Sequence, residues 1–184
     1  MKKVLFLLMF PVLCFSQYTS IPDSIFEQKL INLGYDTIHD GQVLTANIVN
    51  IDSLHLVPPN AAWFGFPLYS GQISDLTGIE GFTSLIYLNC SRNRFSSLDL
   101  SQNTALQFLD CSGWYNSMGQ FIAGNLLNLD LSQNTALTHL ICQFNKLSNL
   151  DLSQNTLLYK INCSNNSLQL LDLSQNNSLN ELNC

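Results

Sequence analysis

Charge is what this sequence has least of. Lys and Arg total 7 and Asp and Glu 13, so 11% of the 184 residues are charged and the formal net charge is −6. That balance excludes the basic footprint of a nucleic-acid-binding surface. Histidine is almost as scarce: His39, His55 and His139 are scattered, with no nucleophile and orienting acid at recognisable spacing. HExxH, GxSxG and a phosphate-cradling glycine loop are all missing. The chain therefore reads as a non-enzyme, with no catalytic residue and no cofactor. Past residue 16 there is also no apolar run long enough to span a membrane. What remains is 46% apolar, enough for the core of one domain. Its polarity comes from Asn, Ser, Thr and Gln, which suit tight strand corners where local hydrogen bonds replace ion pairs.

The first residues read as a targeting segment. Lys2 and Lys3 precede an apolar run from Val4 to Phe15, and Ser16 is a small residue suited to cleavage before Gln17. Residues 1–16 are therefore a secretory signal peptide, and the mature chain is secreted or held at the cell surface. Cys14 does not mark a lipoprotein, because Leu13 stands where such signals want a small residue. Five cysteines follow, Cys90, Cys111, Cys142, Cys163 and Cys184, spaced by 21, 31, 21 and 21 residues. Their regularity makes them one column of small buried hydrophobes, about 4.8 Å apart at strand spacing. Parallel side-chain vectors suit disulfides poorly, and a straight column does not converge on a metal.

Two phrases alternate with those cysteines. Leu-Asp-Leu-Ser-Gln-Asn occurs at Leu98–Asn103, Leu129–Asn134, Leu150–Asn155 and Leu171–Asn176, and Leu-x-x-Leu-x-Cys ends at each cysteine register. A short apolar motif with an Asn at fixed period is the signature of a solenoid. Phe95, Leu98, Leu100 and Leu106 and their equivalents point inward. The recurring Asn93, Asn145 and Asn166, and Asn103, Asn134, Asn155 and Asn176, form structural ladders, since Asn tolerates left-handed turns and bonds neighbouring backbone. Two insertions interrupt the rungs, Val57–Gln72 and Gly113–Ile122, both leaving from the same strand of the repeat. Residues 17–43 form a helical cap over the first rung: Asp23 offers an N-cap, Phe26, Leu30 and Leu33 recur at helical spacing, and Gly34 offers a stop. Asp36, His39, Asp40 and Gly41 make a polar turn, lacking the alternating ligands of an EF-hand.

Residues 44–184 carry a resemblance. LxxLxCxxNxL followed by LxxLDLSxN resembles the leucine-rich repeat proteins, and Ile73–Asn93 is similar to the internalin type. The 21-residue double phrase is similar to a subclass common in exported proteins of flavobacteria-like organisms. The resemblance implies a right-handed solenoid of mostly parallel β rungs with little helix, and protein or glycan binding without catalysis. Many such relatives carry a C-terminal sorting domain. This sequence stops at Cys184, in mid-rung and without a polar cap, so a truncated chain or end-to-end self-association is expected.

Candidate sites follow from comparing the copies with one another. Where they agree, packing dictates the residue; where they differ on an exposed strand position, a partner can have chosen. One such column reads Tyr87, Phe108, His139, Lys160, Glu181, and the next reads Asn89, Asp110, Ile141, Asn162, Asn183. The aromatic end suits protein or sugar contacts. The insertions add Trp63, Phe64, Phe66 and Tyr69 from one loop and Trp114, Tyr115 and Phe121 from the other, expected to meet at one corner. Asp99, Asp130, Asp151 and Asp172 form an outward column in which neighbours repel by roughly 0.8 kcal/mol. Calcium would relieve that repulsion, as would solvent and nearby hydroxyls, and the column is read as solvated, with no metal assigned. The chain thus reads as an exported binding or adhesion module that recognises protein or glycan through its strand face. A structural spacer of a larger surface protein, and a calcium-dependent carbohydrate-associated protein, are the alternatives.

Overall fold

A computed structural model describes residues 17–58, 71–115 and 121–184, with the side chains of Tyr115 and of residues 121–123 outside the description. Residues 1–16, expected to be a signal peptide, and the aromatic residues Trp63, Phe64, Phe66 and Tyr69 lie outside the described residues. The chain opens with β1 (Tyr18–Ser20), α1 (Ser24–Asn32), β2 (Gln42–Leu44), α2 (Thr45–Ile48) and β3 (Ser53–His55). A 3-10 turn at Ile79–Gly81 precedes β4 (Tyr87–Asn89), β5 (Phe108–Asp110), β6 (Trp114–Tyr115) and β7 (Phe121–Ala123). β8 (His139–Ile141), β9 (Lys160–Asn162) and β10 (Glu181–Asn183) complete it.

β3, β4, β5, β8, β9 and β10 form one parallel sheet in chain order, with the β6–β7 hairpin leaving between its members. The register stacks Leu54, Leu88, Leu109, Leu140, Ile161 and Leu182. Each strand is three residues long, and in β4, β5, β8 and β9 the central side chain is buried between two half-buried neighbours. Alternation along a strand forces this, since only the middle residue faces the core. The rest of each rung adds its own inward side chains: Leu85, Phe95, Leu98, Leu100 and Leu106 are all buried. Each such burial contributes roughly 1.5–3 kcal/mol.

Cys90, Cys111, Cys142 and Cys163 are buried free thiols in that column, while Cys184 in the last rung is exposed. Burial, reinforced by neighbouring acids and thiols, pushes Cys90, Cys111 and Cys142 far above the ordinary thiol range, so they stay protonated and poor nucleophiles.

The asparagine ladders carry hydrogen bonds but not left-handed turns. Positive φ falls one residue earlier, at Arg92 (63°), Phe144 (57°) and Asn165 (57°). The ladder side chain therefore owes its place to its amide, which reaches the backbone of the rung before: Asn145 Nδ2 donates to Cys111 O at 3.0 Å and Cys142 O at 3.1 Å, and its Oδ1 accepts from Leu126 N at 3.2 Å.

The cap is a helix with a strand on each side. Asp23 Oδ1 accepts from Ile25 N and Phe26 N, which N-caps α1. At the other end Gly34, at φ 80°, closes the helix with Gly34 N–Ile31 O and Tyr35 N–Leu30 O bonds. β1 and β2, which flank this helix in the chain, pair antiparallel, a pairing periodicity does not reveal. Asp23 Oδ2 then crosses to the solenoid, accepting from Ser74 N, Ser74 Oγ and Asp75 N. Gly78 is needed where β1 presses on the rung: at φ 106°, a Cβ there would come within 2.5 Å of Ser20 O.

Candidate functional site: the strand face

Outward positions on successive strands lie directly beside one another. Tyr87, Phe108, His139, Lys160 and Glu181 are in register, with Ser53 before Tyr87; His55, Asn89, Asp110, Ile141, Asn162 and Asn183 form the parallel column. At strand spacing, flat side chains in such a column must stack. Tyr87 and Phe108 do so with ring centroids 4.3 Å apart and planes 10° from parallel. His55 closes the ridge on one side at 4.8 Å from Tyr87. His139 lies 6.0 Å from Phe108, and Tyr159 lies 6.0 Å beyond His139. Five rings thus cross five rungs as one diagonal ridge. Tyr87, Phe108 and His139 are half-buried, and Tyr159 remains 44% exposed.

The ridge is fastened at its far end. Thr138 Oγ1 sits 2.9 Å from His139 Nδ1, and Asn180 Nδ2 donates to Tyr159 Oη at 2.9 Å. Beyond it the face turns ionic, with Lys160 Nζ 2.5 Å from Glu181 Oε2. Beside the ridge, Asn89, Asp110 and Asn162 each accept from the backbone N–H and hydroxyl of the Ser two residues on. In each case it is Oδ1 that is committed to the turn.

Sequence comparison of the copies therefore finds the centre of this ridge, Tyr87, Phe108 and His139, but misses His55 and Tyr159. Tyr159 belongs to the position just before the strand, which reads Ile86, Gln107, Thr138, Tyr159, Asn180 and varies as widely as the strand columns. That variation was the available signal.

Trp114 lies on the β6–β7 hairpin, with the Arg92 guanidinium 5.1 Å from its ring centroid. The sheet bonds Leu56 N–Asn89 O and Cys111 N–Ile141 O put both insertion points at the same register of the strand edge. Whether the loops meet concerns Trp63, Phe66 and the Tyr115 and Phe121 side chains, which lie outside the description. The hairpin returns through Gly124, at φ 94°, where a Cβ would fall 1.9 Å from Phe144 O.

On the far edge Asp99, Asp130, Asp151 and Asp172 each accept from the N–H of the Ser two residues on, at 2.9 Å. Those N–H groups, with the serine hydroxyls, hold all four carboxyls below the ordinary range. The described acidic group whose donors converge is a different one, Glu27, Asp36 and Asp40 in the cap. There Glu27, 2% exposed, accepts from Asp40 N and Gly41 N and meets His39 Nε2 at 2.9 Å. Ser24 Oγ approaches the same Nε2 at 3.1 Å. Acid and hydroxyl on one nitrogen cannot relay a proton, so this trio anchors a loop.

Stacked rungs, a parallel sheet and two asparagine ladders define a leucine-rich repeat solenoid. Among solved structures it is similar to internalin C2 of Listeria monocytogenes, with a TM-score of 0.54 and 20% identity over 90% of this chain and 76% of that one. A leucine-rich repeat protein of Leptospira interrogans gives a TM-score of 0.50 and 21% identity over 58% of this chain and 26% of that one. The functional domain of InlJ from Listeria monocytogenes, which includes a cysteine ladder, is 24% identical over 92% of this chain and 48% of that one, with a TM-score of 0.34. This chain thus spans under half the length of the InlJ and Leptospira proteins. No family model and no curated protein matches the sequence. Among the described residues no helix is long and apolar enough to cross a membrane.

Proposed function

We propose that this chain is an exported recognition module, binding protein or glycan at a cell surface through its strand face. The observation that carries this reading is the aromatic ridge from His55 to Tyr159. Five aromatic rings on outward positions serve no core, and clustered half-exposed rings mark contact surfaces. The near-identical LDLSQN phrases on the far edge behave oppositely, as repeats of one packing solution. Adhesion through shape and apolar contact asks nothing of the protonated thiols or the anchored Glu27. The test presents the immobilised chain to arrays of extracellular proteins and of glycans. Any ligand captured should weaken about tenfold in a Tyr87→Ala/Phe108→Ala variant and be unchanged in Asp151→Asn on the far edge. Retention of every captured ligand by the ridge variant would end the reading.

A further inference from the structure

We propose that Glu27, Asp36 and Asp40 bind one calcium ion, which fastens the loop between α1 and β2 to the cap. This site is independent of the strand-face reading above.

α1 supplies Glu27, and the loop that follows it supplies Asp36 and Asp40. One carboxylate oxygen from each lies within 4.8 Å of those of the other two. Three acids at that separation repel one another. Among the described residues the one basic side chain paired with any of them is His39, against Glu27. Lys29, two residues on from Glu27, donates to Val57 O instead. Asp36 is the decisive member. Its Oδ1 accepts from Thr37 N at 2.7 Å, while its Oδ2 is buried and, among the described residues, has no donor. A buried carboxylate oxygen without a donor calls for a water or a cation, and two neighbouring acids decide for the cation.

The lone pairs left over define the ligand. Glu27 commits Oε1 to Asp40 N and Gly41 N and keeps a lone pair on Oε2 beyond His39. Asp40 keeps one on each oxygen beyond its bonds from Gln42. An all-oxygen set selects a hard cation. The nearby imidazole nitrogen, His39 Nε2, already faces Glu27 Oε2 and Ser24 Oγ. Backbone N–H groups pin Glu27 and Asp36, so their oxygens cannot adjust to a strict octahedron. Magnesium demands that regularity at bonds near 2.1 Å, whereas calcium tolerates irregular geometry. At calcium bonds of about 2.4 Å, opposite ligands stand about 4.8 Å apart, so one ion reaches all three acids. Asp40 is exposed, so water completes the shell. The affinity then belongs with extracellular calcium modules, at a Kd of about 10⁻⁴–10⁻³ M.

The test uses the whole chain, stripped with a chelator and held at constant ionic strength. Calcium, magnesium and zinc chlorides are titrated by calorimetry and by thermal melting. Calcium should bind at one site and raise the melting temperature by about 3–6 °C at tenfold excess over Kd, with magnesium weaker. Asp36→Asn keeps an acceptor for Thr37 N and should weaken calcium at least about tenfold; should that variant not fold, Asp40→Asn, at an exposed position, should do the same. Terbium, a luminescent substitute for calcium, reports the site without unfolding: its emission, excited through Tyr35 beside Asp36, should fall in either variant. His39→Gln and the far-edge Asp151→Asn should both retain calcium. No heat and no melting shift with calcium up to about 10 mM overturns the inference. So do equal responses to calcium and magnesium, which is screening alone, and calcium binding unchanged in Asp36→Asn and Asp40→Asn. A zinc response that requires His39, with calcium silent, overturns it as well.

Discussion

The two asparagine ladders hold opposite corners of each rung with the same residue and different chemistry. On the strand side, the Asn145 amide uses both ends: Nδ2 donates to two carbonyls and Oδ1 accepts from Leu126 N. Asn93 accepts from Ile73 N and Asn166 from Leu147 N in the same way. On the far side, Asn134 is fully buried and donates to Leu100 O at 3.0 Å and Asn103 O at 2.9 Å. Its Oδ1 has no protein partner, and neither do those of Asn103, Asn155 and Asn176. One corner thus needs a donor and an acceptor. The other needs only donors, aimed at carbonyls that the turn leaves inside.

That contrast is broken most severely by Asn134→Asp. A carboxylate there retains no native bond and faces two carbonyl oxygens while buried, so the loss should reach about 3 kcal/mol or more, read by chemical denaturation. Asn145→Asp still accepts from Leu126 N and should be the milder of the two. With alanine the order reverses. Asn145→Ala orphans the Leu126 N–H as well as two carbonyls and should cost about 2–3 kcal/mol, against about 1–2 for Asn134→Ala. Equal costs would mean that the acceptor half of the strand-side amide contributes nothing.

The smallest effect separates the corners by pH. Strand-side turns use Asn89 and Asn162 with one Asp110, whereas far-side turns use Asp99, Asp130, Asp151 and Asp172. The far-side carboxyls sit below their unfolded value of 3.8, held there by serine N–H and hydroxyl groups. Their contribution to stability is complete above that value and fades as pH falls through the lowered folded one. Asp130→Asn should therefore melt slightly below the parent at neutral pH. The gap should close in acid, and a gap that widens would contradict this assignment.

How much of this could be read beforehand depended on whether a feature repeats. Leucine, cysteine and asparagine columns repeat with the rung, so the copies aligned themselves and the solenoid followed. The α1 helix showed its cap and its stop in single residues, Asp23 and Gly34. The β1–β2 pair and the bonds from Asp23 to Ser74 and Asp75 each occur once, the first between segments about 24 positions apart and the second about 51, and left no pattern. At the strand face the column Tyr87–Phe108–His139 was visible because it lies in register. His55 and Tyr159 join it diagonally, and only the ring-to-ring distances reveal that they do. Asn columns were visible too, although half the reason for them was not: the left-handed backbone belongs to the residue before the strand-side ones.

Every ladder amide reaches backward. Asn155 donates to Leu131 O and Asn134 O, Asn176 to Leu152 O and Asn155 O, and Asn166 to Cys142 O. Considered as a polymer, the stack has a growing end and a seeded end. A partly folded chain shows at its growing end open backbone groups that water can solvate, and the next rung arrives carrying the amide that replaces that water. Nearest-neighbour growth of this kind needs a nucleus once. The cap, tied by Asp23 to Ser74 and Asp75, closes the stack at the end toward which every ladder amide points.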